Sequence, residues 1–301
     1  MSLGSAPPLP HAGEAAALLA AVIWSVTLCI YRAQAHDIPA TTINLFKNSV
    51  SLVCLAATAY VTHAVWPEDW RPAAWLTASG LIGFALSDTA MFAALKRLGA
   101  ARTAALQCLS PPVAVVCAWV FLDESLSPFA LFGITVTILA VGGSIYFGPR
   151  DETRLGPHWS MGLALAVVSA VANAVGIVMA RRAFQQTDLT TGTLIRLIPA
   201  ILVLLIFMAT SPRAAGWHHF AEPPKRGIWL GVTAFFGSFV GLFLYSASIK
   251  YAPAGVTATL SSTYPIWLIP IAASVLKERI TGGQILCTLA AVGGIALIFA
   301  G

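Results

Sequence analysis

Charge is what this sequence has least of. Lys and Arg number 17, Asp and Glu 12, and together they make up 10% of the 301 residues, where a soluble domain carries about 25%. So little polar surface cannot cover a globule in water. Paired cysteines are missing too: Cys29, Cys54, Cys108, Cys117 and Cys287 all fall inside apolar runs and none has C-x-x-C spacing. That excludes a disulfide framework and a cysteine zinc site, and leaves buried free thiols. No HExxH, GxSxG or P-loop is present, and all six histidines lie in loops or at the ends of apolar runs. An enzyme, a metal centre and a cofactor are therefore not expected. Residues 1–13 contain no Lys or Arg, so the basic start of a cleaved signal peptide is absent and the first apolar run reads as a retained span.

What is present is hydrophobic sequence, 58% of the chain, with a mean hydropathy of +0.82. A membrane-crossing helix needs about 20 apolar residues. Ten such runs are expected, at about 14–32, 40–63, 73–95, 99–122, 128–147, 158–181, 190–210, 227–249, 253–276 and 282–300. The fold class is then an all-α integral membrane protein embedded in the lipid bilayer. Its net charge of +5 reflects loop Lys and Arg beside an anionic leaflet, with no nucleic-acid partner implied.

The runs repeat. At one constant separation Lys96 pairs with Lys250, Thr103 with Thr257, Leu106 with Leu260, Pro111 with Pro265 and Glu124 with Glu278. Earlier in each half, Thr41-Thr42 pair with Thr190-Thr191, Leu45 with Leu194 and Lys47 with Arg196. Duplication is the simplest origin of such a pattern. Residues 148–158, polar and bounded by Gly-Pro pairs, read as the linker. Five runs precede it and five follow, giving repeats at 14–147 and 158–300. An odd number per half forces the copies to insert in opposite directions, the inverted repeat of secondary transporters with a site near mid-membrane.

Three charges fall inside runs: Lys47, Asp88 and Arg196. Each costs at least about 2.5–3.5 kcal/mol at a helix centre, which makes it a functional candidate. Lys47 and Asp88 lie about two turns in from connections on the same face, so they should sit at similar depth, where they can pair. Arg196 is expected near the opposite face, and Leu242 stands where a second acid would be. Snorkelling to the interface, or holding neighbouring helix ends together, is the plainer reading of Lys47 and Arg196. Asp88 is too short to snorkel as far, and there a structural ion pair with Lys47 competes with proton coupling. Pro111, Pro265 and Pro270 interrupt runs, which points to hinges beside a cavity. Trp24, Gln107, Tyr245, Ser262 and Tyr264 are the candidate lining, with hydrogen bonding between helices as the plainer explanation of each. Trp119 and Trp267 also lie inside runs. Glycines at 80, 83, 142, 143, 237, 241, 293 and 294 suit close helix approach. Monomer and homodimer both remain open, the latter through the Gly-rich fifth and tenth runs.

Ten spans, the fivefold repeat, Trp24, Lys47 with Arg196, and the Pro111…Glu124 and Pro265…Glu278 pairs resemble the EamA-type carriers of the drug/metabolite transporter superfamily. The resemblance implies a bacterial inner-membrane exporter of amino acids and related metabolites, similar to the aromatic amino acid and paraquat exporters, coupled or facilitative. Cationic-drug efflux and a non-transporting scaffold are the alternatives, the scaffold disfavoured by the lack of any extramembrane domain. The resemblance also implies cytoplasmic termini. Connections on the side of the termini carry Arg71, Arg181, Arg182 and Lys250, while the opposite ones carry many more. That bias would place the termini outside, so the orientation stays open.

Overall fold

A computed structural model describes residues 11–34, 37–122, 127–148, 158–184, 186–211, 224–251 and 259–300. Every regular element among them is helical: α1 (Ala12–Gln34), α2 (Ala40–Thr62), α3 (Trp70–Gly80), α4 (Asp88–Leu98), α5 (Ala100–Gln107), α6 (Ser110–Leu122), α7 (Pro128–Tyr146), α8 (Trp159–Phe184), α9 (Leu189–Thr210), α10 (Pro224–Ala234), α11 (Gly241–Tyr251), α12 (Tyr264–Ser274) and α13 (Gly282–Ile298). Eight continuous stretches are long and apolar enough to cross a membrane. The expected ninth run includes 253–258, outside the described residues, and the tenth is the shorter helix α13.

Helix starts and stops follow local chemistry. The side chains of Asp69, Ser127, Asp188 and Thr281 accept hydrogen bonds from Arg71, Ala130, Thr190 and Gln284 backbone N–H groups, so each satisfies a donor the helix leaves orphaned. Ser127 and Thr281 are repeat partners, and they cap α7 and α13 alike. Gly99 ends α4 at a φ of 85°, a conformation glycine adopts without strain.

The structure repeats where the sequence does. The third run of each half contains a π-helical stretch, Leu81–Ser87 in one and Phe235–Val240 in the other, with Gly83 and Gly237 at matching positions. The fourth run breaks at Cys108-Leu109 and at Ser262-Thr263. At each break a tight backbone bond closes the turn, Leu109 N–H to Leu106 O at 3.1 Å and Thr263 N–H to Leu260 O at 3.2 Å. Pro111 and Pro265 follow in the first turn of the next helix, where a missing N–H costs nothing. They therefore restart a helix and the break precedes them. Pro270 is a correction: it lies inside α12 and does not interrupt it, as Pro199 lies inside α9.

Packing also exchanges between halves. α1 lies against α11 and α12, and α8 lies against α4 and α6; α2 meets α9, and α7 meets α13. Small residues set these approaches. Gly80 sits on the backbone of Arg196, Gly176 on Gly83, and Gly294 on Gly133 and Thr137. Gly133, Gly143 and Gly294 thus pack in the contact of α7 with α13, while Gly142 and Gly293 face open space. A buried cluster with Leu28, Ile43, Phe92, Ala104, Leu230 and Leu268 joins the halves. Outside, Val53, Leu139 and Leu286 are exposed, as side chains facing lipid are. Trp119 and Trp267 join them, at 53% and 45% exposure, which removes both from any interior role.

Candidate functional site

The π-helical stretches create the site. A π turn breaks the i→i−4 ladder and leaves carbonyls in need of a donor. In the first half Asn44 of α2 donates through Nδ2 to Phe84 O at 2.7 Å and to Thr89 Oγ1 at 2.9 Å. In the second, the Trp24 indole N–H donates to Gly237 O at 3.0 Å. Each carbonyl is satisfied from a neighbouring span. Trp24 therefore meets the other half, with its N–H already engaged. Its ring packs on Tyr245 with centroids 5.5 Å apart.

Asn44, Lys47, Asn48 and Ser51 recur at helical spacing on one face of α2. Lys47 Nζ donates to Asp88 Oδ2 at 2.7 Å and to Asn48 Oδ1 at 2.9 Å. Asn48 in turn donates to Asn44 Oδ1 at 3.0 Å. Equal depth thus brings Lys47 and Asp88 together as an ion pair, the lysine 9% exposed. Asn48 was not singled out from the sequence, and only its place one turn from Asn44 marks it.

Arg196 departs from expectation. Its backbone packs on Gly80, two turns before Asp88, but its side chain runs back toward the middle. The guanidinium carbon lies 4.3 Å from the Phe84 ring centroid and 5.8 Å from that of Phe184. Asp88 and Tyr245 are both within electrostatic reach of it. Arg196 is 8% exposed, and its buried Nε has no hydrogen-bond partner among the described residues. Trp24 touches Tyr245 and Lys47 pairs with Asp88, and Arg196 lies within electrostatic reach of both Tyr245 and Asp88, so polar and aromatic groups of the two halves gather in one region.

The remaining candidates form a second group beside it. Gln107 Nε2 donates to Ser169 Oγ at 2.7 Å, and Ser87, next to Asp88, donates to Ser169 O at 2.9 Å. Tyr264 OH donates to Ala104 O at 3.3 Å, while Ser25 donates to Tyr264 O at 2.6 Å. Asn173, the repeat partner of Trp24, donates to Ser110 Oγ at 2.9 Å, and Ser110 is the partner of Tyr264. The same span contact is made once per half. Ser262 is half-buried in the turn of the broken run. Ser87 and Ser169 carried no signal in the sequence, because a serine in an apolar run reads the same wherever it points.

On one face, polar contacts join the two halves. Glu278 accepts from Ala100 and Ala101 N–H at 2.8 and 3.1 Å, capping α5 from far along the chain, with Arg32 Nε 3.8 Å away. Arg226 pairs with Asp37 and Thr281 donates to Phe147 O at 2.5 Å, while within the first half Arg32 donates to Lys96 O at 2.9 Å. Glu124, the partner of Glu278, lies outside the described residues. Loss of a cap costs about 1 kcal/mol, so Glu278→Ala is expected to lower the melting temperature measurably in detergent. A melt equal to the parent's would show that the cap adds nothing to stability.

Comparison with known proteins agrees with this architecture. The profile of the EamA-like transporter family matches residues 11–146 and again 160–300. A protein of Archaeoglobus fulgidus described as an uncharacterized transporter is 25% identical over 264 residues, 88% of this chain and 89% of its own length. A solved crystal structure superposes with a TM-score of 0.67 at 15% identity, covering 95% of each chain, which speaks to the fold alone. The two profile matches take in nearly all of the sequence, and the chain belongs to the EamA-like transporter family, multi-pass proteins of the membrane.

Proposed function

We propose that this transporter exports amino acids and related metabolites, aromatic ones included, across a bacterial inner membrane by alternating access. Residues 14–147 and 158–300 would be inverted five-span repeats rocking about the region of Trp24, Tyr245, Arg196, Asp88 and Lys47, with Gln107, Ser262 and Tyr264 beside it and the breaks before Pro111 and Pro265 as hinges. The observation that carries this reading is that region: intramembrane charges and aromatic rings gather where the halves meet. The cross-half contacts of Glu278 and Arg226 support a state closed on one face. Asp88 is the proposed proton carrier. Monomer and homodimer are both compatible with α7 and α13, where Gly133, Gly143 and Gly294 pack within the chain while Gly142 and Gly293 face open space.

Flux into proteoliposomes of the purified chain tests this, using radiolabelled aromatic and aliphatic amino acids with and without a pH gradient. Saturable, gradient-dependent flux of some of them is the expected result. No flux of any amino acid from correctly folded protein would overturn the substrate class, and flux of lipophilic cations instead would put drug efflux in its place.

A further inference from the structure

The repeat builds its intramembrane cation twice and its acid once. Lys47 and Arg196 are partners, and Lys47 has Asp88 for a counter-ion. Leu242 stands at the position matching Asp88, so the second cation has no carboxylate from its own half. Two cations and one carboxylate leave the cluster with one positive charge inside the membrane. A buried charge is tolerated only when something compensates it.

The geometry of Arg196 says what that is. The guanidinium stands over the Phe84 ring at 4.3 Å, a cation–π contact that uses the face of the group. Its N–H donors lie in the plane, in a fork that matches a carboxylate. Nε, one of those donors, is buried with no hydrogen-bond partner among the described residues. Gly83 lies against the group, a Cβ there coming into ordinary contact with an Arg196 terminal nitrogen at 3.4 Å. Tyr245 is within electrostatic reach of the guanidinium and Trp24 packs on that tyrosine. Lys47 offers no equivalent, since Asp88 and Asn48 already accept from it.

We propose that Arg196 is a carboxylate receptor: the transported solute carries an acid group that docks in the plane of its guanidinium, whose face Phe84 covers. The proposal rests on the export reading above and narrows its substrates to solutes bearing a carboxylate, which excludes simple lipophilic cations.

The test uses the full chain purified in detergent, melted with phenylacetate, phenylacetamide or phenethylamine at equal ionic strength. Phenylacetate is expected to raise the melting temperature saturably, and the amide and amine are not. Arg196→Gln is expected to bind phenylacetate roughly ten- to hundredfold more weakly, the loss of hydrogen bonds to a charged group. Arg196→Lys keeps the charge without the fork and should fall between. The ligand series on the unmodified chain decides the matter even where the glutamine variant fails to fold. Equal response to amide and acid, no response to any of the three, or full retention of the phenylacetate response in Arg196→Lys and Arg196→Gln overturns the site. The two readings separate cleanly. Arg196-dependent phenylacetate binding without amino acid flux keeps the site and removes amino acids as cargo. Amino acid flux unaffected in Arg196→Gln keeps the cargo and removes the site.

Discussion

Gly80→Ala is expected to cost the protein much of its stability, and Gly142→Ala or Gly293→Ala almost none. Gly80 lies where α3 meets α9, and an alanine Cβ there would run into the Arg196 carbonyl oxygen and lie 2.7 Å from Arg196 C and Cα. Every atom it meets belongs to the backbone, so no rotamer change relieves the contact, and the two helices must part. Overpacking of a core costs about 1–3 kcal/mol, and with backbone on both sides the upper end applies. The same wedge would lift the Arg196 side chain away from Phe84, so ligand response and stability should fall together. Gly142 and Gly293 face open space with nothing within 4 Å. Alanine there removes the conformational freedom that makes glycine costly in a helix, about 0.5–1 kcal/mol, and should leave the melt unchanged or slightly raised. Thermal denaturation and elution profiles of the three variants side by side decide it. A Gly80→Ala melt as high as that of Gly142→Ala would mean that α3 and α9 are not held at this distance.

Much of this architecture was legible because the chain states it twice. The paired prolines mark the broken fourth run in both halves, and the counting of turns from neighbouring connections put Lys47 level with Asp88. Direction around a helix was less legible. Runs such as α6 and α7 are apolar on all sides, so no polar face reveals which way they turn. Trp119, inside such a run, points to lipid for that reason, as does Trp267 in α12. The π-helical stretches were also unreadable, since no propensity separates them from ordinary helix. In hindsight the matched Gly83 and Gly237 mark them. The length of an arginine defeated the depth argument for Arg196: backbone position was placed by counting, but the side chain spans more than a turn and turns inward toward Asp88.

The Lys47–Asp88 pair makes the second large prediction, and it separates holding the fold from moving protons. Removing one member of a buried pair leaves the other charge uncompensated and costs about 3–5 kcal/mol, whereas replacing both by neutral groups of similar shape is often nearly neutral. Asp88→Asn alone would leave Lys47 and Arg196 as two buried cations with no acid between them, so a strongly destabilised protein is expected. Adding Lys47→Gln removes one of those cations and keeps a hydrogen-bonding group beside Asn48. The double variant should recover most of the lost melting temperature, and its failure to do so would mean that Asp88 serves Arg196 as much as Lys47. Once that variant is folded, flux reads the proposed coupling directly. Exchange of labelled for unlabelled amino acid needs no proton and should persist. Accumulation driven by a pH gradient should vanish, because no titratable acid is left among the described residues at that depth. A double variant that still concentrates substrate against its gradient would make Asp88 a structural counter-ion to Lys47, and the search for the proton's path would move to Glu278 at the closed face.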